Sequence, residues 1–300
     1  MLMMLADRGT SSVGSPAEST AMNAPLAVPA SAPATTTYQA GTKPSAEQLA
    51  AWATQFHRDG YVFLRDVLPP ERCAELRADF DRVRPVGGGA TEHAERMFEH
   101  SRANLELFDL DPVISLAEVL LGEDNRYGAE TVHVVHNNSF RTINGGGWSG
   151  WHQDDSSHFV VTGDGPAPTN IHLPVLLMTA NYYLTDQEDV SNGPGQVIPG
   201  SHKFGRQLPS DLTGTAWEKQ IVSCTGKAGS VMLFNCQVWH RGSPNRSERM
   251  RYVTQVSYGR KSIGHFFAPF MGYQMPEHCL EGADARRKRL LGFKVRGAYG

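Results

Sequence analysis

The sequence holds little cysteine. Cys73, Cys224, Cys236 and Cys279 are scattered over 300 positions, with no CxxC pair among them. That excludes a disulfide framework and a thiolate zinc site, and makes a reducing, cytoplasmic compartment the expectation. Charge excess is also missing: the formal net charge is -3. Neither a nucleic-acid partner nor a polybasic membrane anchor is therefore expected. The one dense basic run, Arg286-Arg287-Lys288-Arg289, reads as a solvated helix face. No apolar stretch approaches the roughly 18 residues a membrane span needs. The N-terminus MLMMLADRGT meets an acid too early to form a signal-type hydrophobic core. There is no internal repeat.

What is present suffices for a full core, since 40% of the residues are apolar. Residues 1–44 are rich in Ala, Ser, Thr and Pro without helical or strand periodicity. Such a stretch buries too little to offset its chain entropy, so it is expected to be disordered. Met22 offers an alternative start. Residues 45–300 are expected to form one domain. Ser45 through Gln48 has the pattern of a capped helix start, Leu49, Trp52, Ala53 and Phe56 recur at helical spacing, and Gly60 closes the helix. A short strand over 61–64 follows, then a helix opened by Pro69-Pro70-Glu71 and a further helix over about 111–121.

Beyond residue 131 the texture becomes strand-like. Val132, Val134 and Val135 suggest one strand; 174–184, 230–240 and 249–258 read as three buried ones, the last two separated by the turn cluster Gly242-Ser243-Pro244-Asn245. A last helix is expected over about 281–291, ending at Gly292. Short strands after a helical block predict a mainly β fold with flanking helices, a sandwich or open barrel.

Of twelve histidines, His57, His93, His100, His133, His136, His172, His265 and His278 each stand alone and are expected at the surface or in the core. His152-Gln153-Asp154 is different. In extended chain, side chains two apart share a face, so an imidazole and a carboxylate can converge on one metal ion. His240 is the best candidate third ligand, expected at a strand end before a turn. Two imidazoles and one carboxylate leave positions open for a chelating co-substrate and dioxygen on iron(II), although ligand type alone does not separate iron from zinc. Arg251 follows eleven residues after His240. It shares a strand face with Val253, Gln255 and Ser257, and a hairpin through 242–245 would bring it beside the His240 strand. A guanidinium there can grip a carboxylate with two parallel hydrogen bonds; on spacing alone, a surface arginine like Arg246 or Arg249 fits equally well.

Over nearly all of residues 46–300 the chain resembles the phytanoyl-CoA dioxygenase family. The likeness is carried by Asp59-Gly60-Tyr61, Trp151-His152-Gln153-Asp154, Asn192-Gly193-Pro194 and Val197-Ile198-Pro199-Gly200-Ser201-His202. It continues through Ala228-Gly229-Ser230 to His240, Ser243-Pro244-Asn245 and Arg251. The resemblance implies a double-stranded β-helix (jelly-roll, cupin-like) core. It implies iron(II) held by His152, Asp154 and His240, 2-oxoglutarate held by Arg251, and dioxygen as co-substrate. It also implies that His202 belongs to a structural turn rather than the metal site. Gly195-Gln196 departs from the family's usual apolar residue, and only a local change of loop shape is expected from it. Asp154 stands where halogenases of the family have a small residue, so hydroxylation is expected rather than halogenation.

The substrate is expected to be a small molecule, such as a secondary metabolite or a lipid-like compound. Desaturation, epoxidation or cyclisation by the same site, and a non-catalytic binding protein, are the alternatives. The irregular stretch 158–174 is read as a loop over the site mouth, and Trp148, Phe159, Phe266 and Phe267 as candidate pocket residues.

Overall fold

The computed structural model describes residues 36–37, 41–147, 150–155, 157–162, 168, 170–209, 211–265 and 273–293. The first 35 residues, Trp148, most of 163–169, Phe266 and Phe267 lie outside the described residues, and so do the expectations placed on them.

In chain order the elements are β1 (Thr36–Thr37), α1 (Ala46–Asp59), β2 (Tyr61–Arg65), α2 (Pro70–Val83), β3 (Thr91–Glu95), α3 (Arg102–Glu106), α4 (Val113–Gly122), β4 (Val132–Thr142), β5 (Leu177–Tyr183), β6 (Gly195–Val197), β7 (Val222–Ser223), β8 (Val231–Asn235), β9 (His240–Gly242), β10 (Arg251–Arg260) and α5 (Ala285–Leu290). The α1 start is the capping box that its sequence predicts: the Ser45 side chain accepts from the Gln48 N–H, and the Gln48 side chain accepts from the Ser45 N–H. Its end needs glycine. Gly60 has φ 83°, and a Cβ there would stand 2.7 Å from His202 Nδ1.

The strands form a seven-stranded sheet in the order β1-β2-β8-β5-β10-β4-β3 and a three-stranded sheet β7-β6-β9. All pairings are antiparallel except β1 with β2. This is the jelly-roll core. The central strands are apolar on both faces, because one face meets helices and the other meets the second sheet. Val62, Leu64, Val231 and Leu233 point into a core shared with α1, α2 and α4. Their neighbours Tyr61, Phe63, Met232 and Phe234 point between the sheets, against Val197 and Val238. Helix α4 is apolar around most of its circumference and buries Val113, Ile114, Leu116, Ala117, Leu120 and Leu121. Each larger aliphatic side chain so buried contributes about 1.5–3 kcal/mol.

Three expectations need correction. The stretch 230–240 is not one strand. Strand β8 stops at Asn235, a turn closes with Val238 N–H donating to Asn235 O at 2.8 Å, and β9 starts at His240 in the other sheet. The hairpin through 242–245 does not form either: β9 pairs with β6, whereas β10 lies between β4 and β5. The basic run is not simply solvated. Arg286 and Arg289 both pair with Glu118 on α4, Arg287 pairs with Asp109 at 2.5 Å, and only Lys288 of the four is exposed. These contacts dock α5 onto the helical layer.

A candidate metal and keto-acid site between the sheets

His152 and His240 face each other across an antiparallel bridge. His152 N–H donates to His240 O at 3.1 Å, and the return bond is 3.0 Å. That register brings the two imidazoles together, tilted by 53° with centroids 4.4 Å apart. Asp154, two residues on, is tied by its N–H to Cys236 O at 3.0 Å. Asp154 Oδ1 thereby stands 3.2 Å from His240 Nε2 and 3.7 Å from His152 Nε2. One donor atom from each residue falls within 4.8 Å of the other two.

The backbone also selects the tautomers. Nδ1 of His152 lies 3.1 Å from Gly150 O, and Nδ1 of His240 lies 2.9 Å from Val238 O. A carbonyl only accepts, so each Nδ1 carries the proton and each Nε2 can offer its lone pair to a metal. Burial works to raise the Asp154 carboxyl pKa, but the His240 charge, its hydrogen bond and His152 outweigh it and hold the group down at about 2. Burial alone would lower the His240 pKa; the Asp154 charge reverses that and raises it. His152 is lowered, first by burial and then by His240. An ionised carboxylate and two Nε2 atoms with fixed rings are the donor set that a divalent transition metal takes.

These three residues open onto a cavity of about 280 Å³, which Arg251 also lines. Arg251 reaches it from the opposite sheet rather than from a hairpin. Its alternation with Val253 and Gln255, both cavity-lining, is as the sequence predicts. The guanidinium is held by its surroundings: Nη1 donates to Gly193 O and to Ser243 O (2.8 Å), and Nη2 to Thr142 Oγ1 at 3.3 Å. Burial lowers its pKa without neutralising it. The blocks Asn192-Gly193-Pro194 and Ser243-Pro244-Asn245 thus have a shared purpose. They pack on each other, with Ser243 Oγ donating to Pro194 O at 2.6 Å, and together aim the arginine. Arg246 and Arg249 are exposed, as expected.

Several supporting residues were missed by sequence reasoning. Gln237 braces the chain after the HxD pair: its carbonyl accepts from Gln153 Nε2 at 2.7 Å and its side chain from the His158 N–H at 2.9 Å. Thr179 Oγ1 lies 3.5 Å from Asp154 Oδ2 and 2.6 Å from Ser257 Oγ, which in turn lies 2.9 Å from His136 Nε2. Only the face alternation running from Arg251 to Ser257 could have signalled this relay. Gln196, expected merely to reshape a loop, is a β6 strand residue that accepts from Arg241 Nε at 2.7 Å. Arg241 lies over the Trp151 ring at 4.6 Å. Phe159 does not line the large cavity; it lines a smaller one with His158 and Leu173. His202 sits buried in the turn after Gly200, its Nε2 donating to His57 O at 3.2 Å. His57 and His172, expected to stand alone, meet beside Glu123.

Comparison with known proteins agrees with this architecture. The family model for phytanoyl-CoA dioxygenase (PhyH) matches residues 56–253. An ectoine dioxygenase of Nocardia farcinica is 27% identical over 225 residues, covering 63% of this chain and 70% of that protein. The dioxygenase trt7 of Aspergillus terreus is 22% identical over 260 residues, covering 81% and 83%. Among solved structures, HygX from Streptomyces hygroscopicus with nickel and 2-oxoglutarate bound superposes with a TM-score of 0.57 at 17% identity, covering 75% of this chain and 89% of that one. The non-heme alpha ketoglutarate dependent epimerase SnoN from nogalamycin biosynthesis superposes with a TM-score of 0.56 at 20% identity, covering 77% and 94%. At these identities the structural matches speak for the fold.

Proposed function

Because the chain belongs to the phytanoyl-CoA dioxygenase family, we propose that it is an iron(II)- and 2-oxoglutarate-dependent oxygenase that hydroxylates a C–H bond of a small molecule. The observation carrying this reading is the convergence of His152, Asp154 and His240 within 4.8 Å on a cavity that Arg251 lines. The relatives named as dioxygenases and the neighbour solved with 2-oxoglutarate support it.

Bound iron(II) would supply the oxidising chemistry with dioxygen as the oxidant, one oxygen atom going to the keto acid as it becomes succinate and carbon dioxide and the other to the substrate as its hydroxyl. The chain's own residues do the holding and aiming. His152, Asp154 and His240 would hold the metal at the wall of the cavity that they line. Arg251, with Thr142 Oγ1 beside it, would hold the distal carboxylate of the keto acid through the N–H groups that Gly193, Ser243 and Thr142 leave free. Tyr183, Met232 and Val253 line the same cavity and add apolar surface to it, which would limit water around a bound carboxylate. Asn181 and Gln255, joined by a 3.0 Å hydrogen bond, supply the polar contacts of the wall. Phe140 and Arg241 line the cavity too and are available to the substrate. Asp154 keeps the metal site complete, which favours hydroxylation over halogenation. Among the described residues all four cysteines are buried and free, which supports the cytoplasm as the working compartment.

The test is anaerobic titration of the purified protein with iron(II) and 2-oxoglutarate. A visible charge-transfer band should appear, and at modest co-substrate it should be missing from Arg251→Ala. Absence of the band in the unsubstituted protein, at saturating iron and keto acid, removes the proposal.

A further inference from the structure

A second group of donors lies apart from the pocket just described. His57 comes from the last turn of α1, Glu123 caps the C-terminus of α4, and His172 lies in the segment leading to β5. Glu123 Oε2 is 2.6 Å from His57 Nε2 and 3.6 Å from His172 Nε2. The two imidazole centroids are 4.5 Å apart. One donor atom from each residue lies within 4.8 Å of the other two. His57 and His172 also line a cavity of about 230 Å³, and none of the residues lining it lines the large cavity.

We propose that His57, Glu123 and His172 form a second divalent-metal site, suited to zinc, that fastens the segment leading to β5 to the helical layer. Two imidazoles exclude magnesium and calcium as natural occupants, since those ions take oxygen ligands. Three protein donors with water completing a tetrahedron is an open zinc arrangement. Zinc bonds of about 2.0–2.2 Å place neighbouring ligands about 3.4 Å apart. The Glu123–His172 separation already fits. The Glu123–His57 separation must open by under about 1 Å, and the Glu123 side chain, 41% exposed, has room to move.

The surroundings favour a cation held in place. The Glu123 backbone is anchored at both ends: its N–H donates to Val119 O at 3.1 Å, and its carbonyl accepts from Arg260 Nη2 at 2.8 Å. Asp124 Oδ2 stands 3.9 Å from His172 Nε2 and adds a second carboxylate. Arg58 and Lys203 line the same cavity, and Arg58 is paired with Asp59 at 2.6 Å. Burial, the largest influence, lowers the His57 pKa, against the raising effect of Glu123. His172 is next to Leu173, which lines both this cavity and the one beside His158 and Phe159. A metal here therefore restrains the chain that returns from the stretch following Asp154.

The test uses metal-stripped full-length protein carrying His152→Ala and Asp154→Ala, which removes the donors of the first site. It is titrated with zinc(II) against a chromophoric chelator, and separately with cobalt(II) to read the absorption of the bound ion. One equivalent of zinc should bind, with the intense visible bands of tetrahedral cobalt. Adding His172→Ala should weaken it at least about 100-fold, beyond the roughly 10–100-fold lost when only an outer hydrogen-bond partner is removed. Glu123→Gln should act likewise. If the doubly substituted protein does not fold, the unsubstituted chain should bind two equivalents and His172→Ala one. Zinc binding that is absent from the first-site variant, or indifferent to His172→Ala and Glu123→Gln, overturns the proposal and leaves a proton-dependent His–Glu pair. The readout needs no turnover, so its failure is separate from failure of the oxygenase reading.

Discussion

Gly193 has no side chain where Arg251 needs the space: a Cβ on Gly193 would stand 2.6 Å from Arg251 Nη1 and 2.7 Å from Ser243 O. Its φ of 75° is, besides, one that other residues adopt only with strain. The glycine carbonyl accepts from the same guanidinium. One backbone position therefore both admits and aims the arginine.

Gly193→Ala should displace the guanidinium while leaving the metal donors in place. The expected outcome is a 2-oxoglutarate half-saturation raised about tenfold or more, the value of a charged hydrogen bond, with iron affinity little changed. Arg251→Lys should act in the same direction, because an ammonium cannot make the paired bonds. Succinate release measured against 2-oxoglutarate concentration checks both.

His152→Ala and Asp154→Ala should each abolish substrate-dependent succinate formation and reduce bound iron, without unfolding the chain. His152 is only half-buried, and the Asp154 side chain is 26% exposed. Metal analysis together with circular dichroism distinguishes loss of the metal from loss of fold.

Metal loading should release a proton at acidic pH. Below its raised pKa, His240 carries a proton on Nε2 as well as on Nδ1, which the metal must displace, while Asp154, at about 2, is already ionised. Burial lowers the pKa of His152, so its ring gives up its proton before that of His240 does. Affinity should fall as pH drops below the His240 pKa, with a slope of about one proton per metal. Calorimetry in buffers of different ionisation enthalpy reads this; a proton count of zero at pH 6 contradicts it.

Arg141 is a buried cation. Its side chain is 0% exposed and pairs with Glu92 and, at 2.5 Å, with Asp81. Arg141→Ala should lower the unfolding midpoint by several degrees, because Glu92 keeps its charge without its partner. The Arg141 hydrogen bond holds the Glu92 pKa below its ordinary 4.5. That contribution is full above the unfolded value and is lost as pH falls through the lower folded one. Denaturant titrations between pH 6 and pH 3 should therefore show a stability loss that Arg141→Ala lacks.

The contrast between expectation and structure follows the range of the forces. The α1 capping box and its glycine end were legible because residues within four positions of one another decide them. The HxD pair was legible for the same reason, as was the face that Arg251 shares with Val253 and Gln255. The break of 230–240 into two strands was not. Its residues are all buried, so burial has no period there that marks a turn; the local mark is Asn235, whose side chain accepts from the Gln237 N–H at 2.9 Å.

By itself, then, the sequence determined the local conformations, the sidedness of the strands, and which side chains have donor chemistry to offer. Which of them meet was decided only by tertiary structure. A bridge sets His240 of β9 opposite His152, the position of β10 between β4 and β5 brings Arg251 to the same cavity, and packing gathers His57 and Glu123 from two helix ends and His172 from the segment leading to β5. The physical reason is that strand neighbours are chosen by the burial of whole faces, a property of the assembled sheets that no short window of residues contains.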